Sequence, residues 1–261
     1  MAGRGRGPVP PTRAPLDFLP AIVFNEGMEN DTPRYHGAGD GIPRSGTGDA
    51  PVPHGKSYTC ADCASLSCTK ADRGAMPRNC PVRDEALVRA ALAEYDAHRD
   101  FYVTASGIEK AGYCRWPRLR ETVELCRRMG YERVGLAFCD GLRREAGIVA
   151  HLLREAGFTV VSVVCKAGGV DKCAAGISEE DKLRPGGFEP MCNPILQAMA
   201  LNRERTQLNI VLGLCVGHDS LFYRYSDALT TTLVAKDRAL MHNPAAAIYG
   251  AEGYCRGRLH E

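Results

Sequence analysis

Residues 133–165 read RVGLAFCDGLRREAGIVAHLLREAGFTVVSVVC, and this stretch decides the fold. The runs 133–139 and 158–165 are short and apolar, and the second is dense in valine, which predicts two buried strands. The segment between them, 142–156, predicts a helix because its apolar residues recur at helical spacing, at Ile148, Leu152 and Leu153. A strand–helix–strand unit of this kind favours a right-handed parallel crossover.

The sequence that follows continues the alternation of strands and helices. Two more strands are predicted over 208–215 and 231–235. A helix is predicted over 194–202, with Asn193 as its N-cap. We therefore expect an α/β fold, a three-layer domain with a mostly parallel, Rossmann-like sheet.

Three segments of the chain differ in composition. Residues 1–57 are rich in glycine and proline, hold no cysteine and predict a disordered extension. Residues 58–83 hold a cluster of cysteines and predict a small metal-binding module. Residues 84–261 are expected to form the α/β domain, which opens with helices predicted over 84–98 and 117–129.

Charge and cysteine content narrow the class of protein. The chain has 33 Lys+Arg against 31 Asp+Glu, and this near-balance argues against a nucleic-acid partner. No apolar run approaches the roughly 20 residues that cross a bilayer, and residues 16–24 are too short and interrupted for a secretory signal. We therefore expect a cytoplasmic protein without a membrane partner, whose 12 cysteines are reduced or metal-bound.

Four cysteines in the N-terminal module have the spacing of metal ligands. Cys60, Cys63, Cys68 and Cys80 form the pattern C-x2-C-x4-C-x11-C, and Pro81 follows the last of them. Two cysteines three residues apart can turn both sulfurs toward one ion, and the later pair then completes the ligand set. The Cys-Pro ending is typical of bacterial ferredoxin-type clusters. The pattern predicts a metal site and favours an iron–sulfur cluster over zinc.

Four other cysteines are brought together only by the predicted fold. Cys139, Cys165 and Cys215 end three predicted strands, and Cys192 directly precedes the Asn193-Pro194 start of a helix. The carboxyl ends of parallel strands face one edge of the sheet, where ligands bind. We therefore predict a second, cofactor-binding thiol site at that edge. The alternative is four ordinary buried cysteines, because cysteine is among the most buried residue types.

Polar residues follow the same strands. Five of them are predicted to be catalytic: Lys166, His218, Asp219, Lys236 and Arg238. The basic side chains would bind an anionic small-molecule substrate or supply protons, and Asp219 would orient His218. A satisfied His–Asp hydrogen bond and a solvated charge run are the alternatives. Cys173 is a weaker candidate for the same edge, and Cys126 is predicted to lie in the core.

Several long motifs resemble one family. They are CADCASLSC and NCP in the N-terminal module, then AFCDGLRREA, VVCKAGG, CNPILQA, LGLCVGHDSLF and VAKDRALMHNPAAAIYG. Over roughly residues 58–249 the chain resembles the cysteine-rich domain-of-unknown-function family that is described as an uncharacterised metal-binding protein. The resemblance implies a prokaryotic-type cytoplasmic metalloprotein and no particular reaction. It supports eight cysteines as family positions: Cys60, Cys63, Cys68, Cys80, Cys139, Cys165, Cys192 and Cys215.

Two hypotheses of function follow. The first is a 4Fe-4S protein, an oxidoreductase or desulfurase, in which the N-terminal cluster passes electrons to the second thiol site. A small-molecule substrate would be reduced or desulfurised there, and a small molecule or an electron donor would be the partner. The second is a non-enzymatic, zinc-stabilised protein that binds or traffics metal. No Gly-x-Gly-x-x-Gly or Walker-type loop is present, so no nucleotide cofactor is predicted.

Overall fold

A four-stranded parallel sheet organises the chain. The computed structural model describes residues 58, 60–70, 72 and 74–260. The strands are β1 (Arg133–Phe138), β2 (Thr159–Val164), β3 (Leu208–Leu212) and β4 (Thr230–Val234). Their order across the sheet is β2-β1-β3-β4, and every neighbouring pair is parallel. The predicted α/β class with a parallel sheet is confirmed.

Strand β1 lies at the centre of the sheet because its residues suit burial on both faces. Val134, Leu136 and Ala137 are fully buried. Gly135 pairs with Asn209 on β3, and a Cβ atom at this glycine would lie 2.0 Å from the Asn209 Oδ1 atom. Any larger residue at position 135 would clash with the buried Asn209 side chain, so only glycine fits there.

Helices cover both faces of the sheet. The α-helices are α1 (Glu85–Ala97), α2 (Arg99–Gly112), α3 (Arg118–Arg128), α4 (Arg143–Glu155), α5 (Pro194–Arg203), α6 (His218–Tyr225), α7 (Ala245–Tyr249) and α8 (Arg256–His260). One hydrophobic core joins α3 and α4 to one face of the sheet, and a second joins α5 and α6 to the other. These three layers agree with the predicted architecture.

Burial in the first of these cores explains the state of one cysteine. Cys126 on α3 is completely buried, as predicted, and packs beside Val134 and Leu153. Removal from water raises the pKa of its thiol to about 12, so it stays protonated and inert.

Two details of the decisive stretch were predicted wrongly. Strand β2 is the edge strand rather than a buried one, since Thr159 and Ser162 are exposed. On α4, Ile148 is 46% exposed, whereas Leu153 is fully buried. Small residues take the place of large ones on the buried face of that helix, where Ala146 and Ala150 pack close to the sheet.

The segment before the sheet consists of short turns and two helices. Single 3-10 turns span Cys60–Asp62, Ser67–Thr69 and Pro81–Arg83. The guanidinium of Arg83 donates a 2.7 Å hydrogen bond to the Met76 carbonyl, which ties the last of these turns to the preceding loop. The predicted disordered extension, 1–57, lies outside the described residues, and the boundary at 83/84 stays a prediction. Among the described helices, none has both the length and the apolar character needed to cross a membrane.

Candidate functional site

The order of the strands creates a natural position for a site. Strand β2 pairs with one edge of β1, and the chain then returns so that β3 pairs with the other edge of β1. The carboxyl ends of β1 and β3 therefore border a topological switch point, which is where open α/β sheets bind ligands. Cys139 follows β1 directly, Cys165 follows β2 directly, and Cys215 lies three residues beyond β3. We call these three cysteines and Cys192 the rim thiols.

Cys165 lies between two other rim thiols, and among the described residues no three rim sulfurs all lie within 4.8 Å of one another. The Sγ atoms of Cys165 and Cys192 are 3.9 Å apart, and Cys165 also hydrogen-bonds to Cys139. The backbone supports this arrangement, because the Cys165 N–H donates to the Phe138 carbonyl and the Asn193 N–H donates to the Cys165 carbonyl. Cys139 and Cys165 are buried, whereas Cys192 is half-buried. The group therefore has a closed inner end and an accessible outer end.

Each rim sulfur has a nitrogen donor of its own. The Asp140 backbone N–H is 3.3 Å from the Cys165 sulfur. Three basic side chains serve the other sulfurs: Lys236 Nζ is 3.3 Å from Cys139, Arg238 Nη2 is 3.0 Å from Cys215, and Lys166 hydrogen-bonds to Cys192. Cys215 is thus linked by charge to two of the other rim thiols, since Arg238 also interacts electrostatically with Cys139 and Cys192. Such donors stabilise thiolates.

The contacts between the sulfurs shift the pKa values of the three thiols in different directions. Hydrogen bonding to Cys165 lowers the pKa of Cys139 to about 5, with smaller contributions from the Gly141 N–H and from Lys236. The same partner lowers the pKa of Cys192 to about 5, assisted by the charges of Lys166 and His218. The pKa of Cys165 is raised by those two hydrogen bonds and by burial. The contacts therefore favour the thiolate form of Cys139 and Cys192 and the protonated form of Cys165.

The five predicted catalytic residues differ in their surroundings. Lys166, Lys236 and Arg238 contact rim sulfurs, and Lys166 also donates to the Pro190 carbonyl at 2.6 Å. His218 is the first residue of α6 and acts on Cys192 only through its charge. The orienting role of Asp219 stays a prediction: its carboxylate accepts the Ser220 N–H at 2.8 Å and makes no hydrogen bond to His218 in the described structure. Consecutive residues of a helix point in directions about 100° apart, so the two side chains diverge.

The N-terminal cysteines are not gathered into a tetrahedral set. Within the described part of the chain, no three of Cys60, Cys63, Cys68 and Cys80 bring their sulfurs within 4.8 Å of one another. One local feature does favour a thiolate: the pKa of Cys63 is lowered, chiefly by the Ser65 hydroxyl and then by the Leu66 and Ser65 N–H groups. The assignment of these four residues to a metal stays a prediction.

A different acidic and thiol group lies in the long loop between β2 and α5. Ligand atoms of Asp171, Cys173 and Glu179 lie within 4.8 Å of one another, a spacing that could hold a metal ion. The Lys182 ammonium is already there, 2.6 Å from Glu179 and 3.0 Å from Asp171, and its side chain is only 2% exposed. The lysine neutralises the carboxylates, so this group acts as an internal ion cluster that stiffens the loop. Cys173 hydrogen-bonds to Glu179 here and contacts none of the rim thiols.

Sequence reasoning missed three residues that shape the site. A Cβ atom at Gly141 would lie 3.4 Å from Lys236 Nζ, and one at Gly213 would lie 3.8 Å from Lys236 Cδ. Gln197 on α5 is fully buried and donates to the Phe138 and Val163 carbonyls, which precede the first two rim thiols. The only signal in the sequence was position, since Gly141 and Gly213 lie within two residues of a rim cysteine.

The fold and the site together define a three-layer α/β protein with a thiol-lined site at the switch point of its sheet. The chain belongs to the family described as "Protein of unknown function (DUF1847)", whose model matches residues 80–233. The match includes all four rim thiols and Cys80, and it begins after the other N-terminal cysteines, so it is narrower than the resemblance over 58–249. The metal-binding description is not part of that match.

One curated relative has extensive similarity. The chain is 49% identical to "Uncharacterized protein MJ0455" of Methanocaldococcus jannaschii over 165 residues, which are 62% of this chain and 83% of that protein. No solved structure matches the chain significantly. The similarity therefore places the chain in its family without assigning a reaction.

Proposed function

We propose that the chain is a metal-binding protein whose rim thiols hold an iron–sulfur centre for redox or desulfurisation chemistry on a small molecule. The observation that carries the proposal is the contact of Cys165 with both Cys192 and Cys139, together with a nitrogen donor at each of the four rim thiols. Hydrogen bonds and positive charge at the sulfurs are the usual means by which proteins stabilise thiolate-bound centres. Four unrelated core cysteines would have no reason to share such donors.

The chemistry of the donor set suits a soft metal centre. Thiolates select iron–sulfur clusters, zinc and copper(I) over hard cations, which prefer oxygen ligands. The pKa values of Cys139 and Cys192 are lowered to about 5, which favours the thiolate form that binds metal. An iron–sulfur cluster bound there would supply reversible electron transfer.

The remaining side chains of the site divide the work of substrate handling. His218 interacts with Cys192 through charge and hydrogen-bonds to no sulfur, so its imidazole is the group for moving a proton. Lys166 lies between Cys192 and the Pro190 carbonyl and supplies positive charge at the accessible end of the group. An anionic small molecule is the substrate class that such charge favours.

A specific distance supports a second candidate function. Zinc–sulfur bonds of about 2.3 Å place tetrahedral sulfurs ~3.8 Å apart. The Cys165–Cys192 separation of 3.9 Å matches this value. The alternative is therefore a non-enzymatic protein in which zinc stabilises the rim and the protein binds or traffics metal.

Anaerobic purification of the full chain, followed by visible spectroscopy and analysis of iron, acid-labile sulfide and zinc, separates the two. The proposal expects a coloured protein with iron and sulfide in stoichiometric amounts. In Cys192→Ser the rim centre should be lost, whereas Cys114→Ser, at an exposed position outside both thiol sets, should keep it. A colourless protein with stoichiometric zinc would support the second candidate, and a metal-free protein would overturn both.

A further inference from the structure

Lys236 contacts a rim sulfur that follows a strand two positions away in the sheet. It follows the edge strand β4, and its ammonium lies 3.3 Å from the Cys139 sulfur at the end of the central strand β1. Strand β3 separates these two strands, so the side chain must cross the carboxyl end of β3. A solvated lysine would have no reason to take this route.

Two glycines line the route of the Lys236 side chain. Beside Gly141, a Cβ atom would lie 3.4 Å from the Lys236 ammonium and 3.9 Å from the Cys139 sulfur. At Gly213 the backbone has a φ of +68°, and a Cβ atom would approach Leu142 Cδ1 to 1.9 Å and Lys236 Cδ to 3.8 Å. The lysine therefore lies in van der Waals reach of both glycines, and at Gly213 the positive φ and the close Leu142 side chain require glycine. Its contact with the sulfur is built into the fold.

Arg238 repeats the arrangement at a second sulfur. Its guanidinium lies 3.0 Å from the Cys215 sulfur, and the turn that carries it is held by side-chain hydrogen bonds. Asp237 accepts the Ala239 and Leu240 N–H groups, and its own N–H donates to His242 Nδ1. The arginine is thus directed to the sulfur by a preorganised turn.

We propose that Lys236 and Arg238 are positioning residues that raise the reduction potential of the rim centre, rather than substrate ligands. The inference rests on the proposed function. Adding an electron makes a thiolate-bound cluster more negative, and a cation that donates a hydrogen bond to a ligand sulfur stabilises the reduced form. Both cations face sulfurs, so their charge acts on the centre directly.

The test is a dye-mediated redox titration of the full-length, cluster-loaded protein, followed by its visible spectrum. Lys236→Met should shift the midpoint potential to a lower value, and Lys236→Arg, which keeps the charge, should restore most of the shift. Arg238→Met should give an independent shift in the same direction. Lys110→Met, which removes an exposed lysine from α2, should leave the potential unchanged.

The outcomes separate this inference from the proposed function. A wild-type protein without a reducible centre overturns the proposed function and this inference with it. A reducible centre whose potential is the same in Lys236→Met, Arg238→Met and wild type overturns this inference alone. Loss of the centre in both variants, with unchanged circular dichroism, would also overturn it, because the two residues would then act in assembly.

Discussion

At the scale of single residues, the rim thiols show how neighbouring groups give chemically identical cysteines different pKa values. Cys165 retains its proton because ionising it would place a third negative charge between Cys139 and Cys192. The pKa values of those two cysteines are lowered by hydrogen bonding to Cys165 and by the charges of nearby cations. The protonation pattern is thus a property of the cluster rather than of any one cysteine.

This pattern predicts an unusual pH dependence for Cys192 in the metal-free protein. A pKa near 5 leaves the thiol almost fully ionised at pH 6, so its alkylation rate should be flat from about pH 6 to pH 9. A free thiol of pKa about 8.5 is only ~0.3% ionised at pH 6, although it is intrinsically more nucleophilic. The balance of the two effects makes Cys192 about tenfold faster than free cysteine at pH 6.

Iodoacetamide labelling with peptide mass analysis measures this rate for Cys192 alone, and Cys192→Ser identifies the labelled peptide. A rate that climbs about tenfold per pH unit up to pH 8 is the behaviour of an ordinary thiol. That result would contradict the protonation pattern.

At the scale of elements, helix α4 shows which of its residues hold the fold together. Leu153 is completely buried against the sheet, whereas Ile148 is 46% exposed on the opposite face. Two alanines on the buried face let the helix approach β1 and β2 closely, which makes the larger leucine a principal contact.

Leu153→Ala should therefore lower the free energy of unfolding by about 2–5 kcal/mol, from lost burial and the cavity that remains. Ile148→Ala on the same helix is the matched control and should change it by less than about 1 kcal/mol. Chemical denaturation of both variants measures the difference. Equal losses would mean that α4 packs with a different face against the sheet.

Much of the element pattern could be predicted from sequence, for reasons visible in particular residues. Short apolar runs, most of them with β-branched residues, predict strands β1 to β4. Asn193 caps α5 as expected, because its side chain accepts the Leu196 N–H. Helix α2 was missed because Gly107 interrupts it and two of its large apolar residues, Tyr102 and Val103, are exposed. Helix α6 was missed because it has eight residues and buries only Phe222, which leaves no period to detect.

Strand direction was enough to predict which cysteines share an edge of the sheet, but not which basic side chains contact them. Parallel strands that end in cysteine bring those thiols to one edge. The contact of Lys236 with Cys139 depends instead on the order β2-β1-β3-β4 and on space beside two glycines. Neither the strand order nor the space beside the glycines can be read from the spacing of nearby residues. The sequence therefore predicted that Lys236 would bind substrate.

At the scale of the whole molecule, the two cysteine sets lie on separate parts of the chain. Cys60, Cys63 and Cys68 are carried by short turns before α1, and the rim thiols by the sheet edge and the start of α5. Binding at one set should therefore not depend on the other.

Cys215→Ser should remove the rim centre and leave metal at the N-terminal set, and Cys60→Ser should do the reverse. Metal and sulfide analysis of the two variants, each checked for intact circular dichroism, measures this independence. Complete loss of metal in Cys215→Ser would mean that the eight cysteines serve one shared centre.

The strand order also governs when the site comes into being during synthesis. Cys139 and Cys165 belong to one β–α–β unit, which can pair as soon as residue 165 has left the ribosome. Cys215 follows only after β3 has been made and inserted on the opposite side of β1, and Lys236 and Arg238 arrive later still. A nascent chain therefore passes through a stage in which two adjacent thiols exist without their later partners. Metal delivered to the proposed centre before β3 is in place would therefore meet an incomplete ligand set.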